Sequence, residues 1–120
     1  MLRNPRVKNH FQALSAHSDV GTELLAALKP LGEYEVQGGG AKFAALYCTT
    51  KDIVFCAASG MSDIYWRLRP SDVGIALAAG AQTTDLGPEW VKFTLFRANW
   101  PQPDLAHWAL RAYDFARTDQ

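Results

Sequence analysis

Cysteine is scarce in this chain, with Cys48 and Cys56 the two thiols among 120 residues. Two apolar-flanked thiols cannot staple a small secreted scaffold, so the core has to come from hydrophobic burial. With a two-residue turn at Lys51-Asp52, Cys48 would face Phe55 and Cys56 would face Tyr47. The sulfurs then lie on opposite sides, whereas a turn one residue longer would set them directly opposite, so a disulfide depends on register. Histidine is scarce as well: His10, His17 and His107 have no ligand-like spacing with each other or with the cysteines, so no metal and no other cofactor is expected. Charge of one sign is lacking too. Twelve basic and twelve acidic side chains cancel, which disfavours nucleic acid as a partner, because such binders need a cationic surplus to displace counterions. Apolar runs such as Phe43 to Cys48 are only of strand length, which excludes a membrane helix. The start, Met1 to His10, is polar and basic with no apolar stretch behind it. A signal peptide is therefore not expected, and a cytoplasmic location is.

Catalytic motifs are equally thin. Gly38-Gly39-Gly40 lacks the lysine and serine of a phosphate loop and leads into a strand, so it reads as a hairpin turn. Gly60-Met61-Ser62-Asp63 has a hydroxyl and a carboxylate but not the pattern of a nucleophile elbow. No catalytic residue is assigned, and the chain reads as non-enzymatic, with an enzyme whose site no motif reveals as the remaining alternative.

What is present is a globular pattern, 48% hydrophobic and 20% charged, of a length suited to one domain. Residues 1–17 read as an N-terminal arm, charged by Arg3, Arg6 and Lys8 and broken by Pro5; residues 18–120 read as a single α+β domain. A helix from about Ser18 to Lys29 places Val20, Leu24, Leu25 and Leu28 on one face, with Ser18 as N-cap and Asp19 and Glu23 near its positive end. From Glu33 the period becomes two, with Tyr34 and Val36 facing inward. Lys42–Thr49 reads as a central strand, followed by Ile53–Ala58 and Asp63–Leu68, with short links that imply an antiparallel meander. Pro70, Ser71 and Asp72 open a helix with Val73, Ala76 and Leu77 inward and Gly80 at its end. A strand over Glu89–Phe96 and a helix from about Asp104 to Arg117 complete the order α-β-β-β-β-α-β-α. The expected architecture is an antiparallel sheet of about five strands with helices on one face. A homodimer would cover the other face.

The segment Asp63-Ile64-Tyr65-Trp66-Arg67-Leu68-Arg69 carries the most chemistry. Alternation puts Ile64, Trp66 and Leu68 on one side and Asp63, Tyr65, Arg67 and Arg69 on the other. The second set is a row of hydrogen-bonding groups suited to a carboxylate or other small anion, since an arginine fork donates two parallel bonds. Trp90 falls off the main core face of its strand and is counted with this set as ligand-binding, and Trp100 sits in a proline-rich loop.

The run Leu86-Gly87-Pro88-Glu89-Trp90-Val91-Lys92-Phe93, then Asp104 to Tyr113, resembles the MmcQ/YjbR-like domains, and Lys42-Phe43-Ala44 fits their strand pattern. The chain is also similar to small bacterial domains termed luciferase-like. The first resemblance implies a frataxin-like (CyaY-like) α+β fold and carries with it a suggested link to DNA. Iron binding by frataxins uses an acidic first helix, and Asp19 and Glu23 are all that this one offers, so it is not carried over. The leading expectation is a binding or interaction domain holding a small anionic ligand or a protein partner on its sheet face. The second is a nucleic-acid-associated regulator using Arg3, Arg6, Lys8, Arg67 and Arg69.

Overall fold

The structure is a computed structural model that describes residues 2–38, 44–98 and 102–118. Trp100, Lys42 and Phe43 lie outside those residues. Among the described residues the elements run α1 (Pro5–Gln12), α2 (Ser18–Leu28), β1 (Glu35–Gly38), β2 (Leu46–Thr50), β3 (Ile53–Ser59), β4 (Asp63–Arg67), α3 (Pro70–Ala78), β5 (Gln82–Thr83), β6 (Trp90–Thr94) and α4 (Leu105–Thr118). The strands form one antiparallel sheet in the order β1-β2-β3-β4-β6-β5. The α+β antiparallel architecture is as expected, with six strands in place of five. The added strand, β5, is two exposed residues paired to Lys92 and Val91, too short to show a period.

Helices α2, α3 and α4 cover the first face of the sheet. Val20, Leu24 and Leu28 of α2 and Trp108, Ala109, Ala112 and Ala116 of α4 meet Leu46, Phe55, Ile64, Trp66, Val91 and Phe93 in one apolar core. Ile64, Trp66 and Leu68 have no solvent exposure, as their alternation requires. The alanines of α4 let its backbone approach the sheet closely, with the rings of Trp108 and Tyr113 filling the space to either side. His17 caps α2 one residue before the expected Ser18, its Nδ1 accepting from the Asp19 N–H at 3.1 Å. Leu77 departs from expectation. It is 37% exposed, while Ala76 carries the α3 contact. Val36 is likewise exposed, because β1 is an edge strand with no helix over it.

The second face is where residues 1–17 differ most from an arm. They contain α1, which lies on this face and packs Val7 and Phe11 against Tyr47, Val54, Ala57 and Trp90. Pro5 starts this helix instead of breaking one, because proline at the first helical position loses only an N–H that would have no intrahelical partner. Asn4 pins the helix start: its Nδ2 donates to the Val54 carbonyl at 3.0 Å and its Oδ1 accepts the Val54 N–H at 2.8 Å. The side-chain amide thus stands in for a strand neighbour where β4 no longer pairs with β3. α1 supplies cover that a single helical layer would have left to a partner subunit.

A bulge corrects the expected cysteine geometry. The β2–β3 turn is the two residues Lys51 and Asp52, both left-handed at φ 51° and 62°, the pattern that matches strand twist. Thr50 pairs with Ile53 and Thr49 with Val54, but Cys48 then pairs with Cys56. Phe55 is the extra residue. It and Cys56 both face the first core, which brings the two thiols opposite each other, buried and unbridged. Burial pushes the Cys56 thiol well above its usual range, and a hydrogen bond shared with Cys48 adds to this. At the other end of β2, Gly38 has φ 80°, and a Cβ there would sit 1.7 Å from the Ala45 carbonyl oxygen, so only glycine fits.

Phe96 holds a left-handed backbone at φ 60° with its ring 52% exposed, a combination that favours glycine. Its N–H donates to Gln102 Oε1 at 3.3 Å. Replacing Phe96 by Gly is expected to raise the unfolding free energy by about 1 kcal/mol through release of backbone strain. A loss of that size in urea denaturation would mean the ring is packed. Phe11→Ala is expected to cost about 3 kcal/mol or more, as for other buried phenylalanines; a loss below about 1 kcal/mol would show that α1 is not docked.

Candidate functional site

Strands β4 and β6 lie side by side, with Asp63 opposite Thr94, Tyr65 opposite Lys92 and Arg67 opposite Trp90. These rows lie on the second face, where α1 covers the strands only in part. Beyond the last turn of α1 the sheet opens into a cleft of about 210 Å³ lined by His10, Tyr65, Thr83, Thr84, Asp85, Leu86 and Lys92. Besides Thr83 of β5, four parts of the chain build it. Helix α1 brings His10, β4 brings Tyr65, β6 brings Lys92, and the turn after β5 brings Thr84 and Asp85.

That turn is held in shape by Thr84, whose Oγ1 donates to the Trp90 carbonyl at 3.2 Å and accepts the Leu86 N–H at 3.2 Å. Tyr65 is half-buried, with Phe11 edge-on at a ring separation of 5.1 Å. Burial raises its phenol above the ordinary tyrosine value, and the carboxylates of Asp63 and Asp85 raise it further. The hydroxyl therefore keeps its proton and serves as a donor. Lys92 stands between Tyr65 and Gln82 across the sheet. The cleft thus places an ammonium, an imidazole and hydroxyl groups around one small volume, with Asp85 as the acceptor.

The five residues singled out by sequence do not form one row. Tyr65 lines the cleft. Asp63 lies beside it and accepts from Thr94 Oγ1 at 2.8 Å. Trp90 is 1% exposed and packs on Phe11 at 5.5 Å. Its indole N–H has no hydrogen-bond partner among the described residues, so Trp90 acts as apolar bulk beneath α1.

Arg67 and Arg69 turn toward α4. Their guanidinium carbons lie 4.2 and 5.2 Å from the Phe115 ring centroid. Arg67 pairs with Glu89 at 3.3 Å, and Arg69 with Asp114 at 3.0 Å. Arg69 also donates to Thr118 Oγ1. Together the two arginines fasten the end of α4 to the end of β4, with cation–π contact adding to the ion pairs.

His10, Lys92 and Asp85 were not identified from sequence. Lys92 had a signal in its placement opposite Trp90's neighbours on an alternating strand. His10 had one only if Val7 and Phe11 are read as one face of a helix. Among the described residues no group of three or more His, Cys, Asp or Glu side chains is placed to hold a metal ion, and no helix is long and apolar enough to cross a membrane. Comparison with family models, curated proteins and solved structures finds no match to this chain.

The raised Tyr65 phenol sets a sign for alkaline stability. The unfolded chain releases this proton near the ordinary value of about 10, before the folded protein does. The contribution is complete below that pH and is lost as pH rises through the folded value. Urea stability measured over about pH 9 to 12 should fall more steeply in the wild type than in Tyr65→Phe. Parallel curves would show that the phenol is not held protonated by the fold.

Proposed function

We propose that this domain is a non-enzymatic binding module that holds a small anionic ligand in the cleft between α1 and the β4–β6 pair. One observation carries the reading: His10, Tyr65 and Lys92, distant in sequence, line a single small cleft beside the apolar cluster under α1. Charged and hydroxyl donors on rigid elements are the features of a ligand site. Lys92 suits the anionic group, with the Tyr65 hydroxyl beside it as a neutral donor. Asp85 suits a ligand that also carries a hydrogen-bond donor. The cleft volume favours a ligand the size of a short hydroxy or amino acid.

Kinship with the MmcQ/YjbR-like domains belongs to this proposal, supported by the Trp90 strand and the sequence of α4. The nucleic-acid reading draws less support from the fold, since Arg67 and Arg69 face α4, paired with Glu89 and Asp114, while Arg3 and Arg6 lie at the start of α1.

The test is an NMR titration with inorganic phosphate, succinate and serine, following the amides of Tyr65, Lys92 and Asp85. At least one of these probes is expected to give saturable shifts there, and Lys92→Ala to weaken it tenfold or more, about 1.4 kcal/mol. Arg69→Ala should leave that affinity unchanged. Shifts that never saturate, or that are the same in Lys92→Ala, would end the proposal. Tight binding of a DNA duplex that falls steeply with salt would favour the nucleic-acid reading in its place.

A further inference from the structure

Helix α1 packs on β2 and β3, so the sheet face beneath it has two margins. The margin toward β6 holds the His10 cleft. The margin toward β1 holds a cleft of about 300 Å³ whose polar lining is Lys8, Glu35, Gln37, Tyr47, Thr49 and Asp52. Register explains how four of these meet. Glu35 lies opposite Thr49 and Gln37 opposite Tyr47 on the antiparallel pair β1–β2. Directly opposed residues share a face, and so do residues two apart on one strand. Tyr47 belongs to the apolar cluster under α1, so that face is the one that carries the helix. Lys8 then comes down from α1, and Asp52 comes from the β2–β3 turn. The turn and the helix start hold each other in place. The Arg3 N–H donates to the Asp52 carbonyl at 2.6 Å, and Asn4 bonds both backbone groups of Val54.

Two features of this cleft point to a ligand. Tyr47 and Thr49 are only 5% and 6% exposed, yet neither hydroxyl has a hydrogen-bond partner among the described residues. A hydroxyl so deeply placed loses free energy unless it is paired. The bonds of both hydroxyls must therefore go to whatever occupies the cleft they line. The second feature is charge. Lys8, Glu35 and Asp52 line one small volume, and none of them forms an ion pair among the described residues. An anionic ligand would meet two carboxylates there, and a cationic one would meet the Lys8 ammonium. What remains is a mixed ring of donors and acceptors without a dominant sign.

We infer that this cleft is a second ligand site, for a neutral polyhydroxylated molecule the size of a single sugar ring or a cyclitol. Each hydroxyl of such a molecule both donates and accepts. It can therefore donate to Glu35 or Asp52 and accept from Lys8, Tyr47, Thr49 or the Gln37 amide. The carboxylates accept two hydroxyls each, which suits adjacent hydroxyl groups on one ring. Leu2, the one aliphatic residue in the wall, suits the C–H face of the ring. The inference does not depend on the Lys92 cleft, which lies on the opposite flank of α1.

The experiment titrates D-glucose, D-mannose and myo-inositol into the full chain, followed by NMR at the amides of Gln37, Tyr47 and Thr49. At least one of these neutral probes is expected to give saturable shifts with an affinity in the millimolar range or tighter. Glu35→Ala, at an exposed edge position, should weaken that affinity at least tenfold. Tyr47→Phe removes the hydroxyl and keeps the ring, so it should weaken binding about fivefold with the urea midpoint unchanged. Lys92→Ala should leave the affinity as it is, which separates this site from the one proposed above. D-glucuronate or D-glucosamine bound more tightly than all three neutral probes would show an ionic site and overturn the inference. So would an absence of saturable binding by any neutral probe, or an affinity indifferent to both Glu35→Ala and Tyr47→Phe.

Discussion

Burial of β3 on both faces is the constraint from which the rest of this structure follows. Ile53, Phe55, Cys56 and Ala58 look toward α2 and α4, while Val54 and Ala57 look the other way. A strand apolar on both sides is stable only if both sheet faces are covered. Three helices cover the first face, and α1 covers the second through Phe11 and Val7. Full burial of such a side chain contributes about 1.5–3 kcal/mol, enough to order a helix of eight residues that would not persist alone.

The reach of α1 decides where the surface opens. Phe11 ends against Tyr65 and Trp90, so the sheet is sealed over β2 and β3 and left partly open over β4 and β6. The cleft lined by His10, Tyr65 and Lys92 lies at that boundary. The same boundary explains why Trp90 is structural and Tyr65 is not wholly so. Trp90 lies beneath the helix, whereas Tyr65 has its ring against Phe11 and its hydroxyl near two carboxylates.

At the other end of β4 the arginines answer a different need. α4 is long and carries alanines on its inner face, so its last turns are anchored from beside that face, on one side by Tyr113, which donates to the Glu33 carbonyl at 3.1 Å, and on the other by the groups around Phe115. Phe115 lies between the sheet and the solvent there, and Arg67 and Arg69 cover it while pairing with Glu89 and Asp114. A partly buried guanidinium with an aromatic face and a carboxylate partner is well solvated by the protein itself. Groups that suit an anion site by type thus become a fastening between helix and sheet.

Alternation over residues 63–68, together with the continuous apolar run 53–58 and the short links between them, determined the antiparallel meander, and the spacing of Leu24, Leu28, Trp108 and Ala112 determined which helix faces turn inward, because burial acts on every second or every third and fourth residue. Pro70 and Gly80 marked the limits of α3 through backbone preferences that need no tertiary contact. The docking of α1 was decided only in three dimensions. Val7 and Phe11 make one i,i+4 pair, too little for a periodicity, and the helix exists because Tyr47, Val54 and Trp90 wait for it. Tertiary packing also chose the bulge at Phe55 that turns Cys48 toward Cys56, since a shift of one residue reverses every side chain beyond it. It likewise sent Arg67 and Arg69 to Phe115 while Tyr65, two residues earlier, stayed on the sheet. Alternation assigns a side to each Cβ, but a long side chain at a strand end goes to the partner that packing provides.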